Sequence, residues 1–230
     1  TMVEANVKLI EPYETVKVSK IPDGIYLRST NDPDDIIWER LPEYRVDMNP
    51  AAAVHESVEL RVNYDAETMP LYMTLARTSE RFYVRLRWVD ETRDTTTSYD
   101  RFREGAAVQF SLGDDETSYV MGDGPDNAVN IWYWRSGDNT VQNLAAGGPG
   151  STTMLDEQPV TGDAIYFEND GDPNEWVVVM SRPLDSEGTH NASLDRAAVP
   201  IAFALWQGVD GQRDGLKSVS DGWILLDMSE

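Results

Sequence analysis

The sequence holds no cysteine. That excludes disulfides, cysteine-ligated zinc, iron–sulfur clusters and covalently attached c-type haem, which needs a Cys-x-x-Cys-His segment. Histidine is almost as scarce, with two in 230 residues: His55 ahead of a strand-like run and His190 in Gly188-Thr-His-Asn. Neither stands beside a recognisable nucleophile motif, so a hydrolytic triad has no evident base, and a structural or solvated His is the better reading of both. No apolar run approaches the ~20 residues that span a bilayer, so membrane insertion is not expected. No signal peptide is read either, since Thr1 is followed by polar and charged residues; an exported protein is expected here in its mature form.

Positive charge is also in short supply. There are 19 Lys+Arg against 41 Asp+Glu, a formal net charge of −22. Nucleic acid and anionic membrane surfaces would be repelled and are not expected as partners. Only four of the basic residues are lysines, Lys8, Lys17, Lys20 and Lys217, which leaves fifteen arginines. An acidic, lysine-poor surface stays soluble where salt screens its self-repulsion, and it reads as salt-adapted, halophilic or marine. An ordinary acidic secreted protein is the alternative.

What the chain does have is short apolar runs punctuated by turns. Ile36-Ile-Trp38, Tyr44-Arg-Val46, Val58-Glu-Leu-Arg-Val62, Leu71-Tyr-Met-Thr-Leu75 and Phe82-Tyr-Val-Arg-Leu-Arg-Trp88 read as strands in the first half. The last two form a pair turned at Thr78–Arg81, and the arginines of the second imply one wet face. Ala106–Phe110, Ala164–Phe167, Glu175–Met180, Val199–Trp206 and Gly222–Leu226 continue the series. Residues 136–163 read as a long loop, with an irregular centre at Ala145–Thr153, and only Asp100–Glu104 and Ser186–Ala198 suit short helical turns. This pattern predicts a mainly all-β fold, an antiparallel β-sandwich with few short helices. No second-domain boundary is visible: residues 1–230 are expected to form one domain, with 1–50 an N-terminal extension packed on it or on a partner subunit.

Two acidic or polar motifs come to little. Asp170-Gly-Asp-Pro-Asn-Glu175 begins like a calcium loop, but the sixth position is Glu175 where an EF-hand needs Gly, and the twelfth is Ser181 where it needs Glu. A solvated acidic turn is the better reading. Asn191-Ala-Ser193 matches the glycosylation sequon, a weak pattern.

The most informative stretch runs from Ser118 to Arg135: a strand end, a Gly/Pro turn and a second strand. On that strand Val129, Ile131 and Tyr133 share one face, while Asn130, Trp132 and Trp134 share the other. Met121 stands at the rim of the turn. Trp132, Tyr133 and Trp134 suit a sugar-stacking platform, a wall of a cofactor pocket, or simply a core hairpin. Lys217 closes a turn-rich loop, Asp210–Leu216, just before the last strand. Unlike Arg, Lys can lose its proton and offer a nitrogen lone pair; a surface lysine of no consequence is the plain alternative.

Gly105-Ala-Ala-Val-Gln-Phe110, Met121-Gly-Asp-Gly with Val129-Asn-Ile-Trp-Tyr-Trp134, Trp176-Val-Val-Val-Met-Ser-Arg-Pro-Leu184, and Lys217-Ser-Val-Ser with Trp223, taken in order, resemble one family. They are similar to the haem b-binding γ subunits of ethylbenzene dehydrogenase and dimethylsulfide dehydrogenase, a family that also serves chlorate, selenate and some nitrate reductases. The resemblance covers roughly residues 55–228 and leaves the first ~50 unmatched. It implies a β-sandwich holding one non-covalent haem b between axial Met and Lys ligands, at the positions of Met121 and Lys217. Trp132, Trp134 and Asn130 are then expected to line the group, with Arg135 or Arg213 near its propionates. The two ligand atoms are expected to face each other at roughly 4–5 Å.

The same resemblance implies a subunit without catalysis of its own, exported to the periplasm or the outer face of an archaeal membrane. It would sit with a molybdenum-containing α subunit and an iron–sulfur β subunit, and exchange electrons with an external carrier such as a c-type cytochrome, a copper protein or a quinol system. The acidic surface sets a haloarchaeal nitrate or chlorate reductase slightly ahead of a marine dimethylsulfide dehydrogenase. Two other readings stand beside it: a carbohydrate-binding module using Trp132 and Trp134, and a purely structural subunit of an acidic extracellular complex.

Overall fold

The computed structural model describes residues 7–23, 31–51, 68–97, 102–208 and 217–229. Its regular structure is almost entirely β. One sheet runs β4 (Glu43–Pro50), β5 (Met69–Arg77), β6 (Arg81–Val89), β12 (Glu175–Pro183), β11 (Thr161–Phe167), all antiparallel neighbours. The other runs β10 (Thr153–Met154), β9 (Thr140–Ala146), β8 (Val129–Arg135), β7 (Gly105–Ser111), β13 (Ala198–Trp206), β14 (Ser218–Val219). β15 (Ile224–Asp227) also pairs with β13. β4 links the sheets: Glu43–Met48 lie along β5, and Asn49 and Pro50 pair with Val219 and Ser218 of β14.

The N-terminal strands are sewn into both sheets in parallel. β1 (Lys8–Leu9) lies beside β4, β2 (Thr15–Lys17) beside β15, and β3 (Ser19–Lys20) beside β5. Val16 and Val18 are buried in the same core as the rest.

The two sheets face each other because alternate residues of each strand are large and apolar. Leu71, Leu86, Trp88 and Met180 of the first meet Val108, Phe110, Trp132, Trp134 and Ile201 of the second. Burial of each such side chain stabilises by roughly 1.5–3 kcal/mol. Aromatic rings fill the middle: Phe110 and Trp132 centroids lie 4.6 Å apart, and Trp134 and Trp176 5.2 Å. The fold is thus the antiparallel all-β sandwich that the turn-and-strand pattern predicts.

Particular elements differ from the sequence reading. Ile36–Arg40 is a 3-10 helix, not a strand, because Asp35 caps it by accepting from the Ile37 amide. The segment 136–163 contains strand β9, paired with β8 along its full length. Its polar residues had suggested loop, yet Asn143 is satisfied inside the fold by Asn130, Asn191 and the Glu157 carbonyl. Ser186–Ala198 holds turns and the first residue of β13, with no helix, and residues 102–104 are not helical. The face of β6 carrying arginines is paired more than wet: Arg87 bonds Glu43 at 2.6 Å and Glu175 at 2.9 Å and lies over the Tyr72 ring. The strand read at Val58–Val62, together with His55 and Arg213, lies outside the described residues.

Candidate functional site

The outer face of the second sheet is apolar where most outer faces are polar. Its floor is made of small residues: Ala107 on β7 and Ala202 and Ala204 on β13, with Val129, Ile131 and Ala146 beside them. The register sets Ala204, Ala107 and Tyr133 in one row, and Trp206, Gly105 and Arg135 in the next. Tyr133 and Trp206 meet edge to face with centroids 5.2 Å apart. Gly105 lets them do so, since a Cβ there would stand 3.1 Å from the Tyr133 ring and 3.3 Å from Trp206.

Met121 comes onto this face from the turn between β7 and β8. Its φ is 62°, a left-handed conformation that costs a non-glycine residue on the order of 1–3 kcal/mol and tends to occur where the surroundings enforce it. The surroundings here are backbone bonds: Gly122 N to Ser118 O at 2.9 Å, Gly148 N to Met121 O at 2.8 Å, and Gly124 N to Gly147 O at 2.9 Å. Gly122, at φ 84°, has no room for a side chain, as a Cβ would lie 2.7 Å from the Asn127 carbonyl. Trp223, wholly buried, donates its Nε1 to Thr117 O at 2.6 Å and so ties the approach to the turn onto the sheet.

Lys217 comes from the other side. Ser218 and Val219 form β14, fixed between Leu205 and Ala204 of β13 and Pro50 and Asn49 of β4. Ser220 exchanges bonds with the Phe203 backbone, and Lys217 O accepts from Ala51 N at 2.8 Å. The Lys-Ser-Val-Ser run is therefore a short strand whose serines point inward and whose Lys points onto the apolar face. Lys217 Nζ lies 5.3 Å from the Trp206 ring centroid and 3.6 Å from Met121 Sδ. Among the described residues no carboxylate pairs with it, and burial pushes its amine below the ordinary lysine range.

A soft thioether and a buried amine thus converge over small and aromatic side chains. This donor set suits a metal that accepts neutral sulfur and nitrogen ligands, and the floor suits a flat apolar ring. Two iron–ligand bonds of a little over ~2 Å each would need the pair to open by under ~1 Å. The residues present therefore fit a porphyrin-bound iron.

The other expected lining residues are not here. Trp132 and Trp134 are 0% and 1% exposed and point into the sandwich interior, on the far side of β8 from Met121. Asn130 shares that inner face, where it bonds Asn143 and Leu144 O and accepts from Ala192 N. The alternation along β8 is as read, but the face was misassigned: bulk drew attention to the tryptophans, whereas Ile131 and Tyr133 carry the site. Their burial also removes the sugar-stacking platform. Arg135 lies on the outer face at the end of the Trp206–Gly105 row and pairs with Asp138 at 2.6 Å. Trp206 and the alanine floor were missed, and Tyr133 and Trp223 had entered only within the aromatic run and the family motif; the signal for the floor was the small-residue run Gly105-Ala-Ala on a strand that would otherwise be bulky.

Among known proteins, the chain is 59% identical over 225 residues, 97% of its length and 85% of the relative's, to the dimethylsulfide dehydrogenase γ subunit of Rhodovulum sulfidophilum. It is 37% identical over 84% of its length, and 78% of the relative's, to the chlorate reductase γ subunit of Ideonella dechloratans. The chain belongs to this family of γ subunits. A further member, provisionally named a respiratory nitrate reductase heme subunit, from Haloferax mediterranei, is 35% identical over 82% of this chain and 65% of its own. No protein-family model matches. Among solved structures, a candidate carbohydrate-binding protein from Bacteroides uniformis superposes with a TM-score of 0.54 at 10% identity, covering 93% of this chain and 98% of that one. At that identity the likeness is one of fold alone. Among the described residues, no helix is long and apolar enough to cross a membrane.

Proposed function

We propose that this γ subunit, taken as one domain over residues 1–230, is an electron-transfer subunit that holds one non-covalent haem b between Met121 and Lys217. The observation that carries the reading is the 3.6 Å approach of Met121 Sδ to Lys217 Nζ over an apolar, small-residue floor. Bound there, haem would supply a one-electron couple. Lys217 must offer a neutral nitrogen, which its burial favours. Met121 supplies a neutral thioether, a ligand type that raises the potential relative to anionic or purely nitrogenous sets. With both axial positions taken by protein, oxygen has no open site, which suits electron transfer and not oxygen activation. Tyr133, Trp206 and Ile131 would exclude water from the ring, and Arg135, at the end of the Trp206–Gly105 row, would suit a propionate.

The partners follow from the family reading: an iron–sulfur β subunit and a molybdenum-containing α subunit in a heterotrimer outside the cytoplasm, with an external carrier as the other electron partner. Identity of 59% to the dimethylsulfide dehydrogenase subunit, against 35% to the Haloferax chain, favours the dimethylsulfide dehydrogenase type over the haloarchaeal reductase that the acidic surface had set slightly ahead. The acidic, lysine-poor surface then speaks for a marine, salt-adapted setting. Reconstitution of the purified chain with haem tests the core of this: a sharp low-spin Soret spectrum is expected, and a Met121→Ala, Lys217→Ala double variant should lose it. An unchanged spectrum in the double variant would sink the ligand assignment.

A further inference from the structure

Gly208, two residues past the end of β13, is gripped on both sides. Its amide donates to Glu104 Oε1 at 2.9 Å, and its carbonyl accepts from Phe102 N at 3.2 Å. The fit allows nothing larger than glycine, since a Cβ would overlap the Phe102 carbonyl and stand 2.9 Å from Asp94 Cβ. Trp206, two residues earlier, is paired with Gly105 and packs within 5.3 Å of Lys217 Nζ. The grip on Gly208 therefore anchors the end of β13, where Trp206 stands as an aromatic wall beside Lys217.

Glu104 is wholly buried, and the charged groups around it are other acids. Asp90 and Asp94, 3% and 8% exposed, face it from the segment after β6. Thr92 donates its hydroxyl to both aspartates, Ser136 donates to Asp94 O, and Tyr166 donates to Asp90 O. No Lys or Arg is paired with any of the three carboxylates among the described residues. Glu104 Oε2 and Asp90 Oδ2 are both buried with no hydrogen-bond donor, and two ionised carboxylates in that setting would repel, which favours one proton held on the pair.

We propose that Glu104 is a positioning residue for the Lys217 ligand: by sharing a proton with Asp90 it stays neutral in the interior and holds the Gly208 amide, and so holds Trp206 against Lys217, in register with Met121. This rests on Lys217 being an axial ligand. Loss of the proton would set two negative charges side by side in a water-poor site and release the grip.

The experiment uses the haem-loaded full chain. Glu104→Ala removes the acceptor, and haem loss at pH 7 should quicken by about tenfold, with the spectrum moving toward that of Lys217→Ala. Glu104→Gln keeps an acceptor for Gly208 and needs no proton, so it should restore the wild-type spectrum. Wild type should show a spectral transition near pH 10, where Glu104 ionises, and Glu104→Gln should lack it. Wild type at pH 8 should also show an infrared band of a buried carboxylic acid that Glu104→Gln removes. If Glu104→Ala does not fold, the alkaline titration of the other two proteins decides. A wild-type spectrum and haem-loss rate in Glu104→Ala, or the same alkaline transition in Glu104→Gln, overturns the proposal. If Lys217→Ala itself left the spectrum unchanged, the axial reading would fail first, while the infrared band would still report the shared proton.

Discussion

Met121 Sδ and Lys217 Nζ approach to 3.6 Å across 96 residues of sequence, each delivered by a backbone feature that leaves it little freedom. Met121 is held in a left-handed turn whose amides and carbonyls are bonded to the neighbouring hairpin. Lys217 is held by a two-residue strand locked between β13 and β4. Among the described residues neither has a charge partner, so bringing the two side chains together serves no evident purpose in stability. Burying an amine costs free energy unless something accepts its lone pair or its protons. A ligand between them resolves that cost.

The two ligands should fail differently. Lys217→Ala leaves a five-coordinate site with the thioether alone, and the haem should turn high-spin and bind at least about tenfold more weakly, ~1.4 kcal/mol. Met121→His replaces the thioether by an imidazole, which should keep a low-spin spectrum and lower the potential. A redox titration of both variants beside wild type checks this; a potential in Met121→His at or above wild type would exclude Met121 as the sulfur ligand.

Acid should release the amine. The Lys217 pKa is lowered in the fold by burial, so below its ordinary value of 10.5 the unfolded chain binds a proton that the native site resists. Stability from this group therefore falls as pH drops from about 10.5 toward the lowered folded value, and the ligand is lost as protons compete for nitrogen. A spectral titration toward acid should show a low-spin to high-spin change in wild type. The same change should be missing from Lys217→Ala, which has no lysine to release.

The strand register was legible in the sequence, because alternation fixes which residues share a face. Which face looks inward was not. Asn130, Trp132 and Trp134 looked like a functional surface by bulk, but two sheets of this width need several indoles to fill the space between them, and Trp88, Trp132, Trp134 and Trp176 do so. The site needs the opposite quality, small residues that leave room, and only the Gly105-Ala-Ala run hinted at it, while Ala202 and Ala204 sit in a bulky strand that masks them. The Met121–Lys217 pairing was legible only through family resemblance. Strand β9 was hidden because its asparagine, Asn143, is paid for by partners 13 and 48 residues away.

That difference in faces can be measured. Trp132→Ala opens the sandwich core and should destabilise by about 3–5 kcal/mol while leaving the haem spectrum of the folded fraction intact. Trp206→Ala lies on the outer face against Lys217, so it should disturb the spectrum with a smaller stability loss. Denaturant unfolding and absorption spectra of the two variants separate the roles. Were Trp132→Ala to shift the Soret band and Trp206→Ala to leave it, the outer-face site would be wrong.

The buried acid pair gives a stability signature independent of haem. Glu104 is raised from 4.5 to about 10, chiefly by burial and then by Asp90. Between those two values the native state holds a proton that the unfolded chain has released, so stability falls as pH rises through that window. Gln at 104 keeps the shape without the proton and escapes the slope. The haem-free Glu104→Gln variant should therefore match wild type in Tm near pH 4, where both chains carry a neutral group, and exceed it by a margin that widens toward pH 9. Parallel melting curves across that range test it directly. A margin that stayed flat with pH would mean that Glu104 is ionised in the native protein, and that Asp90 does not share its proton.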